Sequence, residues 1–361
     1  MSKKHIIIFL VIILLFLVFS GIGFYYHDEI EKIINGETWN YIDNYEEVKS
    51  VQSLGCFGRK NLCICTKEGL KTYSNNKLVS KQDATITGFM SDSNGIYSVL
   101  FINDSKTLYL IKNGEIVLTK SIDITPKMLN VNKNGYIIIL YSQIGYKTGI
   151  KVYKSNGEEI LTTYLANSYA TCAKISNDEK SLLICEVDSS GIKVKSKIKS
   201  ISLANKEVDE IDLPLGRIAL DIKNHNNKFL VKADDGIYEV DGNTKSIKIL
   251  VSYDDQNVLN AYIEGSNDIT VIKEDTDSDE YVLVYYNNDS KITVPFNEFP
   301  QDIDIYDNTV VLNFGSEIWI IKNGHLKNKI AITEALSSMN IFSDGKELAL
   351  VFRNAIKVFK I

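Results

Sequence analysis

Two interleaved series of Asn, Asp and Gly turns run through the chain, and they leave few folds open. The first is Asn61, Asn94-Gly95, Asn134-Gly135, Asn177-Asp178, Asn226-Asn227, Asn267-Asp268, Asp307-Asn308 and Asp344-Gly345, with steps of 33 to 49 residues. Each precedes a strongly apolar run, such as Ile137-Ile138-Ile139-Leu140 or Val310-Val311-Leu312. The second is Asn75-Asn76, Asn113-Gly114, Asn156-Gly157, Asn205, Gly242-Asn243, Asn287-Asn288 and Asn323-Gly324. Each of these follows an alternating segment, such as Ile150-Lys151-Val152-Tyr153 or Ile318-Trp319-Ile320-Ile321. Asn and Gly tolerate the positive φ that a tight hairpin requires. Two hairpins per period mean four strands per period, and a period of about 40 residues is that of a β-propeller blade. A row of β-sandwiches would repeat at about 100 residues.

Residues 46–361 hold eight such periods, so the expected fold is all-β, an eight-bladed β-propeller, with seven blades as the alternative. The last repeat supplies three strands, ending in Ile356-Lys357-Val358-Phe359. A spare strand-like segment, Glu46 to Val51, precedes the first repeat. Placed as the outer strand of the last blade, it would close the ring and remove an exposed edge.

Ahead of the repeats lies a different kind of sequence. Residues 1–5 form a short basic tail carrying Lys3 and Lys4. Ile6 to Phe19 is an unbroken run of fourteen apolar residues, and apolar character continues to Tyr26. Residues 6–26 as a helix would measure about 31 Å, matching a hydrocarbon core of about 30 Å. Apolar residues at −0.3 to −0.6 kcal/mol each give roughly −4 to −8 kcal/mol for insertion. The run is long for a cleaved signal peptide and ends in aromatics rather than small residues, so an uncleaved transmembrane anchor is expected. Lys3 and Lys4 before it, against Asp28, Glu29 and Glu31 after it, put the N-terminus in the cytoplasm and the propeller outside. Residues 27–45 read as a juxtamembrane helix (27–35) and linker, with Ile30, Ile33 and Ile34 on one helix face.

Charge narrows the partners. The net charge is −6, and residues 1–26 carry two Lys and no acid, so the remainder stands at −8. Such a body repels nucleic-acid phosphates, and no basic stripe offsets this.

The basic-led apolar segment, followed by blades of the type Gly149-Ile150-Lys151-Val152-Tyr153-Lys154-Ser155-Asn156-Gly157 and Ser343-Asp344-Gly345-Lys346-Glu347-Leu348-Ala349-Leu350, resembles an uncharacterised family of membrane-anchored β-propellers from Gram-positive bacteria, a domain of unknown function. The resemblance implies fold and address only and carries no catalytic residues. The His and Trp-Asp marks of typical WD40 repeats are missing, and with Trp39 and Trp319 alone there are no Trp-docking repeats.

Chemical motifs are sparse. The four histidines, His5, His27, His225 and His325, share no ligand spacing. Nucleophile-elbow, phosphate-loop and zinc-protease motifs are lacking. Alternate acids at Asp275, Asp277 and Asp279 are the one candidate for a Ca²⁺ site, but Glu280 stands where such a loop needs Gly and Tyr286 where it needs Glu. The favoured reading is a solvated acidic loop between the second and third strands of a blade. Of the five cysteines, hairpin arithmetic places Cys172 opposite Cys185 and Cys56 opposite Cys63, either as bridges or as buried small hydrophobes. Cys65 completes the set.

The expected role is a non-enzymatic binding or scaffolding module on the outer face of the cytoplasmic membrane. It would be tethered to the bilayer through residues 6–26, would engage an envelope protein or wall component, and would need no cofactor. The alternative is an envelope hydrolase or lyase working at the central channel, which would require convergent carboxylates there. The inner-strand segments Lys127 to Val131 and Gln301 to Ile305 read as only sparsely acidic.

Overall fold

A computed structural model describes residues 37–42 and 51–361, apart from 58–60, 67–68, 75–76, 84–85, 87, 95, 215, 226–227, 255–256, 264–268, 275–279, 288–289, 343–344 and 353–355. The basic tail, the transmembrane segment read at 6–26, the helix read at 27–35 and the triplet Asp275, Asp277 and Asp279 lie outside the described residues.

The described residues form 32 strands in eight four-stranded antiparallel sheets. Strand β1 is Glu37–Ile42. Blade 1 comprises β2 (Val51–Phe57), β3 (Asn61–Thr66), β4 (Gly69–Ser74) and β5 (Lys77–Asp83), and blade 2 comprises β6 (Phe89–Ser93), β7 (Tyr97–Ile102), β8 (Thr107–Lys112) and β9 (Glu115–Ser121). Blade 3 is β10 (Pro126–Val131), β11 (Ile137–Gln143), β12 (Tyr146–Tyr153) and β13 (Glu159–Leu165); blade 4 is β14 (Tyr169–Ile175), β15 (Ser181–Asp188), β16 (Lys195–Ser202) and β17 (Val208–Asp212). Blade 5 is β18 (Ala219–His225), β19 (Lys228–Ala233), β20 (Gly236–Asp241) and β21 (Ile247–Ser252); blade 6 is β22 (Val258–Tyr262), β23 (Ile269–Glu274), β24 (Tyr281–Asn287) and β25 (Ser290–Phe296). Blade 7 is β26 (Asp302–Tyr306), β27 (Thr309–Asn313), β28 (Glu317–Lys322) and β29 (His325–Ala331), and blade 8 begins with β30 (Leu336–Ile341), β31 (Glu347–Phe352) and β32 (Ile356–Lys360).

Each blade is a simple meander with strands A to D counted from the centre outward. The turn chemistry explains the hairpins. Asn113-Gly114 and Asn323-Gly324 both place two successive residues at positive φ (48° and 85°, 51° and 72°), as a two-residue hairpin that follows the strand twist requires. The apolar second strands of the repeats are the blades' buried B strands: every residue of β7, β27 and β31 is buried. The outer strands β5 and β29 are almost wholly exposed.

Blade 8 is completed by β1, which pairs antiparallel with β32, from Glu37 beside Phe359 to Ile42 beside Ile356. Ring closure by an N-terminal strand is therefore as expected, but the strand is Glu37–Ile42 and not Glu46 to Val51; Val51 instead opens β2. The propeller begins at Glu37, inside the stretch read as linker. A strand of this kind is defined by the free edge of β32 it covers, and that edge lies more than 300 residues away in sequence.

Packing shows the same closure. Eight apolar clusters sit at the eight blade junctions, including the junction of blades 8 and 1, where Phe342, Ala349, Val351 and Val358 meet Leu62, Ile64 and Tyr73. No junction lacks an apolar cluster.

Candidate functional site

The A strands ring a central channel of about 1050 Å³, lined by residues from blades 2, 3, 4, 5, 7 and 8. Most of the lining lies at the ends of A strands that lead into the A–B turns, so the channel mouth opens on that face. It gathers Asp92, Asp221, Asp304 and Asp307 with Lys174, among Asn94, Asn130, Asn132 and Asn340. The channel is thus more acidic than the inner-strand segments implied. Asp304 was in view within Gln301 to Ile305; Asp92 and Asp221 were missed. The available signal was position, since Asp92 and Asp304 both lie in an A strand five residues ahead of the B strand that follows, which starts at Tyr97 and Thr309.

These two A-strand acids do the same work. Asp92 Oδ2 accepts the backbone N–H of Val131 at 2.8 Å, joining blade 2 to blade 3. Asp304 Oδ2 accepts the N–H of Ile341 at 2.6 Å, joining blade 7 to blade 8. Burial pushes both carboxyls above the usual carboxylate range. For Asp92 this is opposed by the N–H groups of Val131 and Ser93 and by the Lys174 charge. For Asp304 it is opposed by the N–H groups of Ile341 and Ile305 and reinforced by Asp302. Asp221 Oδ1 pairs with Lys174 Nζ at 2.6 Å, joining blades 4 and 5. Thr171 Oγ1 adds a bond to Ala219 O at 2.6 Å across the same junction. Much of the channel's polar chemistry is therefore spent on holding blades together.

Cys172 lines the channel and is the register partner of Cys185, as hairpin arithmetic expected. The thiols of Cys63, Cys65, Cys172 and Cys185 are free and buried. Cys185 is hydrogen-bonded to Cys172, and that bond together with burial pushes its thiol up. Burial raises Cys63 to about 12 and Cys65 to about 11. Such thiols are poor nucleophiles. The expected Cys56 and Cys63 opposition fails by one residue: Cys56 stands opposite Leu62, and Cys63 opposite Gly55, because Phe57 pairs with Asn61 and shortens the hairpin.

His325 opens the exposed strand β29, and among the described residues no group of three or more His, Cys, Asp or Glu is placed to hold a metal. Among them, too, no helix is long and apolar enough to cross a membrane.

The opposite face, carrying the D–A and B–C loops, has a different character. Tyr146 and Tyr164 stack there at 4.8 Å between ring centroids. Tyr169 lies under the Lys147 ammonium at 5.2 Å. All three tyrosines are exposed, and Ile144, at the tip of the β11–β12 hairpin, is 95% exposed. Across the ring on the same face, Phe299 follows β25 and Trp319 lies in β28.

Strand order, closed junctions and a polar channel define an eight-bladed β-propeller. The chain belongs to the family of unknown function DUF5711, which matches residues 37–361, beginning with the closing strand. No curated protein matches the chain. Among solved structures it is similar to the C-terminal WD40 domain of Sif2, at 11% identity and a TM-score of 0.59, covering 90% of this chain and 97% of that one. It is similar also to the dihydro-heme d1 dehydrogenase NirN, at 11% identity and a TM-score of 0.50, covering 78% and 66%. At such identities the likeness is one of fold.

Proposed function

We propose that this chain is a non-enzymatic binding or scaffolding module, anchored in the cytoplasmic membrane by residues 6–26, with its propeller on the outer side and an envelope protein or wall component as partner. The observation that carries this reading is the contrast between the faces. Three of the four channel acids, Asp92, Asp221 and Asp304, are engaged in blade-to-blade bonds, whereas Tyr146, Tyr164, Tyr169 and Ile144 are exposed together on the other face. Exposed aromatics grouped on one face are what a docking surface supplies. Topology adds direction. Strand β1 starts beside Phe359, at the end of blade 8 that bears the A–B and C–D turns. A tether preceding Glu37 would enter the propeller on the channel-mouth side, which supports an aromatic face turned away from the bilayer.

Two measurements test this. A cysteine placed at Asn156, in an exposed C–D turn, should react with an impermeant maleimide in intact cells; reaction only after lysis would contradict the address. Cross-linking in intact membranes should capture one stoichiometric envelope partner, and failure to capture any would contradict the role.

The raised carboxyls of Asp92 and Asp304 favour a second reading, a hydrolase or lyase acting at the channel. Activity on a wall polymer that survives stringent purification and disappears in both Asp92→Asn and Asp304→Asn would establish it over the first.

A further inference from the structure

On the aromatic face, an open groove of about 480 Å³ separates the outer parts of blades 6 and 7. Phe296, Phe314 and Trp319 line it, and they belong to a longer series of touching rings that continues beside it to Tyr281 and Phe299. Phe299 meets Tyr281 edge-on at 5.7 Å, Tyr281 stacks on Phe296 at 6.0 Å, Phe296 lies 5.5 Å from Phe314, and Phe314 meets Trp319 at 5.2 Å. Phe296 and Phe314 are buried and serve the blade junction, whereas Phe299 is exposed and Trp319 partly so. Three carboxylates, Glu280, Glu298 and Glu317, line the groove against one ammonium, Lys329.

The indole already holds a cation. Lys329 Nζ lies 3.7 Å from the Trp319 ring centroid and 3.9 Å from Glu317 Oε1. Trp319 Nε1 donates to Glu317 Oε1 at 2.7 Å, which fixes the ring's orientation. A ring face with a carboxylate at its edge is a site for an ammonium or guanidinium. Glu298 and Glu317 alone exceed the single Lys329, so the groove lining stays net negative with its own cation in place. An incoming cation can exchange with Lys329 on the indole and keep the carboxylates paired, a neutral sugar displacing Lys329 would leave them unpaired, and an anionic ligand would meet the carboxylates first.

We propose that this groove docks a cationic segment, bearing Lys or Arg, of a partner protein; this rests on the binding reading above and names its partner's chemistry. Lys329 is then a resident competitor on the indole.

The test is calorimetric titration of the full chain in neutral detergent with a ten-residue Lys/Arg peptide, an acidic peptide of equal length and a chito-oligosaccharide. The cationic peptide should bind saturably, and about tenfold more weakly at high salt. Glu298→Gln/Glu317→Gln should weaken it about tenfold, while Lys329→Ala should tighten it several-fold, an effect that a purely structural role for Lys329 would not produce. Thermal melts identify any variant that has unfolded, and Glu298→Gln alone, remote from the Trp319 bond, then serves as the reporter. No saturable binding of the cationic peptide, equal binding by the Gln variants, or preference for the sugar or the acidic peptide would overturn the inference. Capture of the membrane partner at undiminished yield by Glu298→Gln/Glu317→Gln would overturn it while leaving the binding reading standing; absence of any capture would remove both.

Discussion

On the face that carries the A–B and C–D turns, loops are short and Asn, Asp and Gly fill them. Their side chains cap the turns or reach the next blade, as Asp92 and Asp304 do in bonding Val131 and Ile341. On the D–A and B–C face, several loops carry aromatic and apolar side chains into solvent, with Tyr146, Tyr164, Tyr169, Phe299 and Ile144 exposed. The same strands feed both faces, so strand formation cannot be the cause of the difference. Both faces stitch the ring, the second through Thr148 to Ala170 and Ser196 to Ala219, but only the second adds a group of exposed aromatic and apolar side chains. Substitutions should separate the two, with stability falling on the first face and partner capture on the second.

The largest expected effect on stability is at the stitches. Asp304→Ala leaves the Ile341 N–H without its partner in a partly buried site and should cost about 1–3 kcal/mol in urea unfolding. Asp92→Ala should behave alike through Val131. Asp304→Asn retains an acceptor oxygen and should recover most of the loss. If Asp304→Ala matches the unaltered chain, the channel acids are not stitches and the contrast between faces fails.

The same acids give a pH signature. Burial places their folded pKa above the ordinary 3.8, so the folded ring keeps these protons longer than the unfolded chain does. Each therefore contributes a loss of stability as pH rises from that ordinary value through the raised one, and a constant penalty above it. Asp92→Asn/Asp304→Asn cannot ionise. Its stability relative to the unaltered chain should climb across that window and then level off. Parallel curves would show that the two carboxyls are not shifted.

Buried thiols should stay silent. In the folded chain at pH 8, iodoacetamide should leave Cys63, Cys65, Cys172 and Cys185 unlabelled, and denaturant without reductant should expose all four to alkylation, as read by peptide mass spectrometry. A Cys172–Cys185 peptide linked by a disulfide would contradict the free-thiol state.

The smallest stability effect belongs to the aromatic face. Tyr146→Ala and Tyr164→Ala remove a stacked but exposed pair and should cost about 1 kcal/mol or less. Their effect should fall on cross-linking yield instead.

The blades were legible in the sequence because a blade is local: turns such as Asn113-Gly114 and runs such as Ile137 to Leu140 specify strands by nearest neighbours alone. Cys172 opposite Cys185 could be read for the same reason. What required distant partners was missed or misplaced. Trp39 and Asn40 read as linker until β32 offers them an edge to pair with. Cys56 shifted by one residue because a hairpin's exact length is not set by composition. Asp92 and Asp221 became channel residues only when six blades converged. The groove between blades 6 and 7 was hidden likewise, since Phe296 and Trp319 belong to different repeats.

The most direct measurement is photo-cross-linking in living cells with a light-activated residue at Tyr146, compared with the same residue at Asn134 on the channel-mouth face. The expected result is a discrete cross-linked partner from position 146 and none from position 134. A partner captured from position 134 alone would reverse the assignment of the two faces and contradict the docking role proposed for the aromatic one.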